Sequence, residues 1–200
     1  MFKKVVILFF LTFLMSNISS QNFNGGIITG INTSQVSGDL LSGFNKLGWI
    51  AGGYTKLALK EKNYLQFEII YSEKGSSNPD ISNNNIAEIS LSYIDLPLSI
   101  NIEQKNYMSI QLGITPSILT HSSMNDFYGK IPIEQEFQKY DISVFGGINY
   151  KLTPKVILNT KISNSIIAIR SHASNITQGI NKGQYNTCLL YTSPSPRDAT

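Results

Sequence analysis

Residues 64–71 read YLQFEIIY, and within them apolar side chains alternate with polar ones. Leu65, Phe67 and Ile69 fall on one face of an extended chain, whereas Gln66 and Glu68 fall on the other. This period-two alternation predicts a β-strand with one apolar and one polar face. No stretch after residue 20 has the sustained spacing and caps of an amphipathic helix. The sequence therefore predicts an all-β fold.

The same alternation recurs along the chain and predicts seven strands, with an eighth begun near the C-terminus. They span residues 23–36, 48–60, 63–74, 86–103, 106–120, 140–152 and 155–168, and the eighth starts within residues 180–187. In the fourth strand the apolar positions change from odd numbers, as in Leu91 and Tyr93, to even numbers, as in Leu98 and Ile100. A β-bulge near residues 94–97 would explain that change, and Pro97 is tolerated best at such a site.

The connections between these strands alternate in length. Tight turns fall at residues 61–62, 104–105 and 153–154, whereas residues 37–47, 75–85, 121–139 and 170–179 form long connections. Short turns at one end and long loops at the other are typical of bacterial outer-membrane barrels. The strands are also long enough, because about 9–11 tilted residues cross a bilayer. We expect an antiparallel up-and-down transmembrane β-barrel of eight strands.

The polar face of the strands distinguishes a membrane barrel from a soluble one, which places its apolar side chains inside. That face holds Gln66, Glu68, Glu88, Gln111, Asp141, Asn149 and Lys161, with Gly52, Gly53, Gly113 and Gly147 between them. We predict that these small and polar residues line a narrow interior. Tyrosines near strand ends are predicted to form aromatic girdles: Tyr54, Tyr64, Tyr71, Tyr93, Tyr107, Tyr128, Tyr140 and Tyr150. A soluble secreted β-barrel or sandwich is the alternative.

The first twenty residues are interpreted as a secretory signal peptide. They combine a basic start, MFKK, with an apolar run of eleven residues and a small polar stretch ending at Ser20. The run is too short for a transmembrane helix, which needs about 20 apolar residues. Removing Lys3 and Lys4 with this segment, and Arg197 and Asp198 with the tail discussed below, lowers the formal net charge from +3 to +1. We therefore expect no nucleic-acid partner.

The chain contains a series of short motifs in a fixed order: GINTSQV (30–36), GFNKLG (43–48), GGY (52–54), FEIIYSEKGS (67–76), YIDLPL (93–98) and Asp141 with Gly146 and Gly147. Together they resemble the PorT-like outer-membrane β-barrel proteins of Bacteroidetes-type bacteria. The resemblance covers nearly all of residues 23–187. It implies a small barrel in the outer membrane of a Gram-negative cell, with no agreed reaction, no catalytic residues and no cofactor. A secretion role known for one member is not transferred.

Three partners are expected for a barrel of this kind. They are the lipid of the outer membrane, the barrel-assembly machinery during insertion, and an unidentified extracellular ligand of the long loops. The function we expect is that of a non-enzymatic barrel of the cell envelope, which supports envelope integrity or binds through surface loops.

Both histidines raise the alternative of a lipid-modifying barrel enzyme. His121 lies beside Ser122 and Ser123, and His172 lies beside Ser171, each in an expected outer loop. A working triad needs a base within hydrogen-bond reach of the nucleophile and an acid that orients the base. Neighbours in sequence do not provide that geometry, so we expect polar loop histidines and assign no catalytic residue.

Two further groups of residues have some features of binding sites. Residues 80–85, DISNNN, begin like a calcium loop but lack the required glycine at the sixth position, so we assign no metal site. Glu68 and Glu88, with Lys56 and Lys161, are expected to form a charge network inside the barrel, because buried charges need partners. A paired-carboxylate site is the alternative for the two glutamates.

The last thirteen residues, CLLYTSPSPRDAT, do not fit the rest of the chain. They hold its one cysteine, Cys188, and two prolines where a strand needs N–H donors. Codons for this string match the read-through of a common transposase sequencing adapter. We expect residues 188–200 to be adapter-derived and the barrel domain, residues 21–187, to stop inside its last strand. The barrel should then show a ragged junction between the first strand and residues 179–187.

Overall fold

The computed structural model describes residues 23–37, 43–60, 62–78, 88–105, 107–126, 128–133, 136–153, 156–171 and 183–197. Every regular element within these ranges is a β-strand, which agrees with the all-β prediction. None of the described residues belongs to a helix long and apolar enough to cross a membrane.

Eleven strands are present in the described ranges. They are β1 (Phe23–Ser37), β2 (Lys46–Lys60), β3 (Asn63–Ser77), β4 (Glu88–Asp95), β5 (Leu98–Lys105), β6 (Met108–Asp126), β7 (Gly129–Ile131), β8 (Tyr140–Thr153), β9 (Val156–Ser165), β10 (Arg170–Ser171) and β11 (Gly183–Arg197). β3 and β6 run further than predicted, to Ser77 and Asp126, so each takes in residues that were expected to lie in a long loop.

The strands form one closed antiparallel barrel. The sheet runs from β1 through β2, β3, β4, β6, β8 and β9 to β11, which pairs with β1. β5 continues the path of β4 between β3 and β6, so the wall consists of eight long strands in sequence order. β7 folds back on β6, and β10 adds a short pairing to β11. The predicted eight-stranded up-and-down barrel is confirmed.

The predicted bulge in the fourth strand is wrong. β4 and β5 are separated at Leu96 and Pro97, but the pairing register with β3 and β6 is the same on both sides of that break. Odd-numbered residues from Ile89 to Asn101 face the interior throughout. The register shift lies instead in β6, where Ser92 pairs with His121 but Tyr93 pairs with Leu119. Thr120 is therefore the bulged residue, and it changes which positions of β6 face inward.

The polar face of the wall lies inside and the apolar face outside, as predicted for a membrane barrel. Gln66, Glu68 and Gln111 are buried inside, whereas Leu112 is 59% exposed and Trp49 is 68% exposed on the outer surface. The interior nevertheless holds more apolar residues than predicted. A first buried cluster contains Ile28, Ile50, Tyr54, Ile70, Cys188 and Leu190. A second, which we call the apolar layer, contains Val36, Ile89, Leu91, Tyr93, Met124, Phe137 and Ile169.

The tyrosine girdle is only partly present. Tyr71, Tyr107, Tyr128, Tyr140 and Tyr150 are exposed, and the rings of Tyr107 and Tyr150 meet edge to face with their centroids 5.6 Å apart. The other three tyrosines of the prediction behave differently. Tyr54 and Tyr93 are buried, and Tyr64 is half-buried with its hydroxyl 3.2 Å from the Ser109 hydroxyl inside the barrel. These three side chains lie on the inward positions of their strands, so closeness to a strand end did not decide their direction.

The expected ragged junction is also wrong. β11 pairs with β1 from Ser37↔Tyr185 to Gly25↔Arg197 without a register shift, and residues 188–197 form most of that pairing. Cys188 and Leu190 point inward, so the tail continues the alternation of a strand. Its two prolines, at 194 and 196, lie beyond Thr192, where the described pairing with β9 ends. An adapter origin of residues 188–200 stays a prediction, as does the signal peptide, which lies outside the described residues.

Candidate functional site

A buried ion pair occupies the middle of the barrel. Glu68 on β3 and Lys161 on β9 face each other across the interior, with the lysine nitrogen 2.7 and 2.8 Å from the two carboxylate oxygens. Glu68 is 0% exposed and Lys161 is 4% exposed. Inward positions are even-numbered on β3 and odd-numbered on β9, so strand alternation brings both side chains inside. The predicted charge network is confirmed for this pair.

Amide and hydroxyl side chains extend this pair towards the short turns. Gln66 donates to Glu68 at 2.6 Å, and Gln111 donates to the Ser99 hydroxyl at 2.8 Å. The network continues from Asn159 to Gln111 and Asn149, from Asn149 to Asn101, and from Thr192 to Asn159. Each hydrogen bond joins inward residues, so most polar groups at this level of the interior are satisfied without solvent.

A second buried ion pair lies nearer the long loops. The Lys74 nitrogen is 2.9 Å from Asp95 and lies 4.8 Å from the centroid of the Tyr93 ring. Ser72 donates to the other Asp95 oxygen at 2.6 Å. A cavity of about 20 Å³ separates the two ion pairs and is lined by both lysines. Because one water molecule needs roughly 10–15 Å³, this cavity has room for about one water and is too small for a channel.

The apolar layer closes the barrel beyond the second ion pair. Phe137 enters it from the segment before β8, and the Arg170 guanidinium lies 5.0 Å from the centroid of the Phe137 ring. The Gln138 N–H donates to the Ile169 carbonyl at 2.7 Å, which holds this segment in place. The odd-numbered apolar residues of the fourth strand were the sequence signal for this layer. The predicted bulge rested on the same residues and on the expectation of a polar interior.

Glu88 and Lys56 take no part in the central network. Glu88 lies opposite Ser77 at the loop end of β3, where it forms an ion pair with Lys46 and accepts hydrogen bonds from Ser90 and Asn125. The Lys46 ammonium holds the pKa of Glu88 below its usual value. Lys56 lies over the rings of Tyr54 and Tyr64, 5.1 and 4.7 Å from their centroids. The paired-carboxylate alternative is therefore wrong, since Glu68 and Glu88 have separate cationic partners.

His121 lies within β6 and not in the expected outer loop. Its side chain is exposed, and it pairs across the strands with Ser92, which in turn lies opposite Glu73 on β3. The Tyr71 hydroxyl is 3.2 Å from both the Glu73 carboxylate and the Ser92 hydroxyl. A catalytic triad places the histidine between serine and acid. Here Ser92 lies between His121 and Glu73, and Glu73 contacts Tyr71. These residues therefore do not have the order of a catalytic triad.

The remaining sites considered from the sequence are not brought together by the described part of the chain. Ser122 and Ser123 follow His121 along β6, and Ser171 lies in β10. His172 and the DISNNN segment at residues 80–85 lie outside the described residues. Within the described ranges, no group of three or more histidine, cysteine, aspartate or glutamate side chains is arranged to hold a metal ion.

Comparisons with known proteins support the fold. No protein-family model and no curated protein matches the sequence. The crystal structure of the neisserial surface protein NspA aligns with 88% of this chain and 99% of its own, with 14% identity and a TM-score of 0.58. Ail, the attachment invasion locus protein of Yersinia pestis, solved with the heparin analogue sucrose octasulfate, aligns with 88% of this chain and 99% of its own, with 9% identity and a TM-score of 0.52. The chain therefore has the fold of the small outer-membrane β-barrels.

Proposed function

We propose that this protein is a non-enzymatic outer-membrane β-barrel of the Gram-negative cell envelope, which supports envelope integrity or binds a ligand through its outer loops. The observation that carries the proposal is a continuous apolar outer surface around a hydrogen-bonded interior. Leu47, Trp49, Leu112 and Ile162 are each more than half exposed, and they come from different parts of the wall. A soluble protein rarely exposes an apolar surface of this extent, whereas bilayer lipid covers it.

The closed interior favours a binding or structural role over transport. The ion pairs and the apolar layer fill the barrel, as expected for eight strands. Surface binding is supported by the β6–β7 hairpin, which extends the wall at the loop end. Asp126 accepts hydrogen bonds from the Tyr128 and Gly129 N–H groups at 2.7 and 2.8 Å, and Tyr128 at the tip is 93% exposed. The hairpin thus presents an aromatic side chain on a braced turn.

Membership of the PorT-like family forms part of this proposal. Both buried ion pairs include residues from the motifs that carry the resemblance. FEIIYSEKGS contains Glu68 and Lys74, and YIDLPL contains Asp95. A signal peptide ending at Ser20 and insertion by the barrel-assembly machinery complete the route to the outer membrane that we propose.

Fractionation of cells tests the proposed location. The protein is expressed in a Gram-negative host, and membranes are separated from the aqueous periplasm. We expect it in the outer-membrane fraction, with an electrophoretic mobility that changes on boiling, because a folded barrel resists unfolding in detergent. Recovery of folded protein from the aqueous periplasm would support a soluble secreted barrel and contradict the proposal.

A lipid-modifying enzyme is the second candidate, and the pairing of Ser92 with His121 on the lipid-facing surface is the observation that favours it. Purified protein in mixed micelles with acyl-labelled phospholipid tests this candidate against the Ser92→Ala and His121→Ala variants. We expect no acyl release above the level of either variant. Release that only the unaltered protein catalyses would instead establish the enzyme.

A further inference from the structure

Asp141 is a buried carboxylate without a basic partner among the described residues. It lies on the inward face of β8 and is 1% exposed. Its Oδ2 atom accepts hydrogen bonds from Ser165 at 2.8 Å and from the Asn186 amide at 3.4 Å, whereas its Oδ1 atom has no partner. The other buried acids, Glu68 and Asp95, each contact a lysine. A buried charge is costly unless a counter-charge neutralises it.

Two further unpartnered oxygens lie beside this carboxylate. Ser117 on β6 is 2% exposed and pairs with Asp95 on one side and Asp141 on the other, and its hydroxyl has no hydrogen-bond partner. Paired residues in neighbouring antiparallel strands lie about 4.5–5.5 Å apart at Cα, with their side chains on the same face. Asn186 on β11 also leaves its Oδ1 atom unpartnered. The unpartnered oxygens thus belong to buried residues of three strands that meet around Asp141.

None of the described basic side chains packed around this place contacts Asp141 directly. From β3, Lys74 contacts Asp95 at 2.9 Å, so its ammonium already compensates that acid. From β4, the Tyr93 hydroxyl is 3.3 Å from the Asn186 amide nitrogen. From β9 and β11 the nearby groups are the Ser165 hydroxyl and the Cys188 thiol, which are neutral as alcohol and thiol. An ionised Asp141 therefore has no counter-charge in direct contact among the described residues.

We propose that Asp141 Oδ1, Ser117 Oγ and Asn186 Oδ1 bind an alkali-metal cation such as sodium. All three ligands are hard oxygens, which suit alkali and alkaline-earth cations and not transition metals. One carboxylate balances a single positive charge, and calcium prefers six to eight oxygens with more than one carboxylate. The ion joins β6, β8 and β11 beneath the apolar layer, which shields it from the loop end. It therefore stabilises the folded barrel and takes no part in chemistry.

Urea unfolding of the purified full-length barrel in detergent micelles tests this site. The midpoint is measured at neutral pH and constant ionic strength while sodium chloride replaces choline chloride. A ligand that binds only the folded state raises stability with its concentration. We expect the midpoint to rise with sodium, and we expect Asp141→Asn and Ser117→Ala to lose that rise. Ser143→Ala, which alters a neighbouring inward serine of β8, serves as the matched control and should keep it.

Four outcomes would overturn the proposal. Equal midpoints in sodium and choline would show that no alkali cation binds, and a one-proton dependence of the midpoint that disappears in Asp141→Asn would identify a proton as the neutralising species. A sodium-dependent rise that survives in both Asp141→Asn and Ser117→Ala would place the ion elsewhere. Stabilisation by calcium but not by sodium or potassium would also contradict an alkali-cation site. Because Ser117→Ala keeps the carboxylate, it remains informative if Asp141→Asn fails to fold.

Discussion

Glu68 is a central residue of the polar interior. It forms two contacts with Lys161 and also accepts hydrogen bonds from Gln66 and Gln111. Because Glu68 is fully buried, its carboxylate depends on these partners for its stability. Removing one member of a buried pair leaves the other charge uncompensated and is much more costly than removing both.

Lys161→Met should therefore destabilise the barrel strongly. We expect a loss of about 3–5 kcal/mol in the free energy of unfolding, because Glu68 would remain buried without a cation. The double variant Glu68→Gln/Lys161→Met serves as control and should recover most of that loss. Reversible urea unfolding in lipid vesicles measures both. Equal losses in the single and double variants would show that the charge of Glu68 is compensated in another way.

Glu88 at the loop end should make the stability depend on pH. The pKa of Glu88 in the folded state lies below its usual value of 4.5, chiefly because Lys46 donates a hydrogen bond to it. Because the pKa is lower in the folded state, the contribution of ionised Glu88 to the free energy of unfolding is complete above the unfolded-state pKa. That contribution is lost as the pH falls through the folded-state pKa. Comparing the unfolding midpoints of the protein and of Glu88→Gln should show a difference at neutral pH that disappears in acid. A difference independent of pH would contradict this assignment.

Alternation could be used to predict which residues face inward, but not which of them meet. It placed Gln66, Glu68 and Lys161 inside, because side-chain direction depends only on local sequence. The separation of Glu88 from Glu68 depends on how far β3 continues past residue 74, and the stacking of Lys56 on Tyr54 and Tyr64 depends on rotamers. Neither property is encoded in a period-two pattern. The site around Asp141 was missed for the same reason, since Ser117 and Asn186 reach it from other strands.

At the level of elements, the long fourth strand shows what a pattern of apolar residues can and cannot establish. The change from odd to even apolar positions was interpreted as a change of face. In the structure the inward positions stay the same, and the apolar residues change from one face to the other: Leu91 and Tyr93 are buried inside, whereas Leu98 and Ile100 are exposed on the outer surface. Sequence alone could not separate these cases, because both give the same alternation. The shift at Thr120 in β6 was not signalled by any glycine or proline at that position.

Close contact between strands should make Gly52 intolerant of any side chain. A Cβ atom at Gly52 would collide with the Ile69 carbonyl oxygen of β3, whereas one at Gly53 would lie 3.4 Å from the Gly26 oxygen. We expect Gly52→Ala to lower the free energy of unfolding by about 1–3 kcal/mol, as overpacked substitutions do. Gly53→Ala, one residue away on the lipid-facing side, should change it far less. Urea unfolding compares the two, and equal effects would contradict the predicted collision.

At the scale of the whole molecule, closure of the barrel depends on β11. A wall that crosses a bilayer must have no open edge, because unpaired backbone groups in lipid cost several kcal/mol each. β11 pairs with the backbone of β1 on one side and of β9 on the other, and it thereby joins the two ends of the sheet. The even number of long strands could be predicted from this requirement. The sequence did not predict that residues 188–197 supply the closing strand, because their two prolines argue against a place in a sheet.

Removing residues 188–200 should therefore prevent formation of a closed barrel. Residues Gly25–Ser34 of β1 pair with residues 188–197, so this truncation leaves most of β1 as an open edge. We expect the truncated chain to lose its heat-modifiable mobility and to become sensitive to protease, whereas a chain ending at Arg197 should retain both properties. If the locus encodes a different sequence after Thr187, that sequence should restore the barrel only if it supplies a strand of similar length with inward and outward residues alternating. A truncated chain that still migrates as a folded barrel would show that β1 and β9 can close without β11.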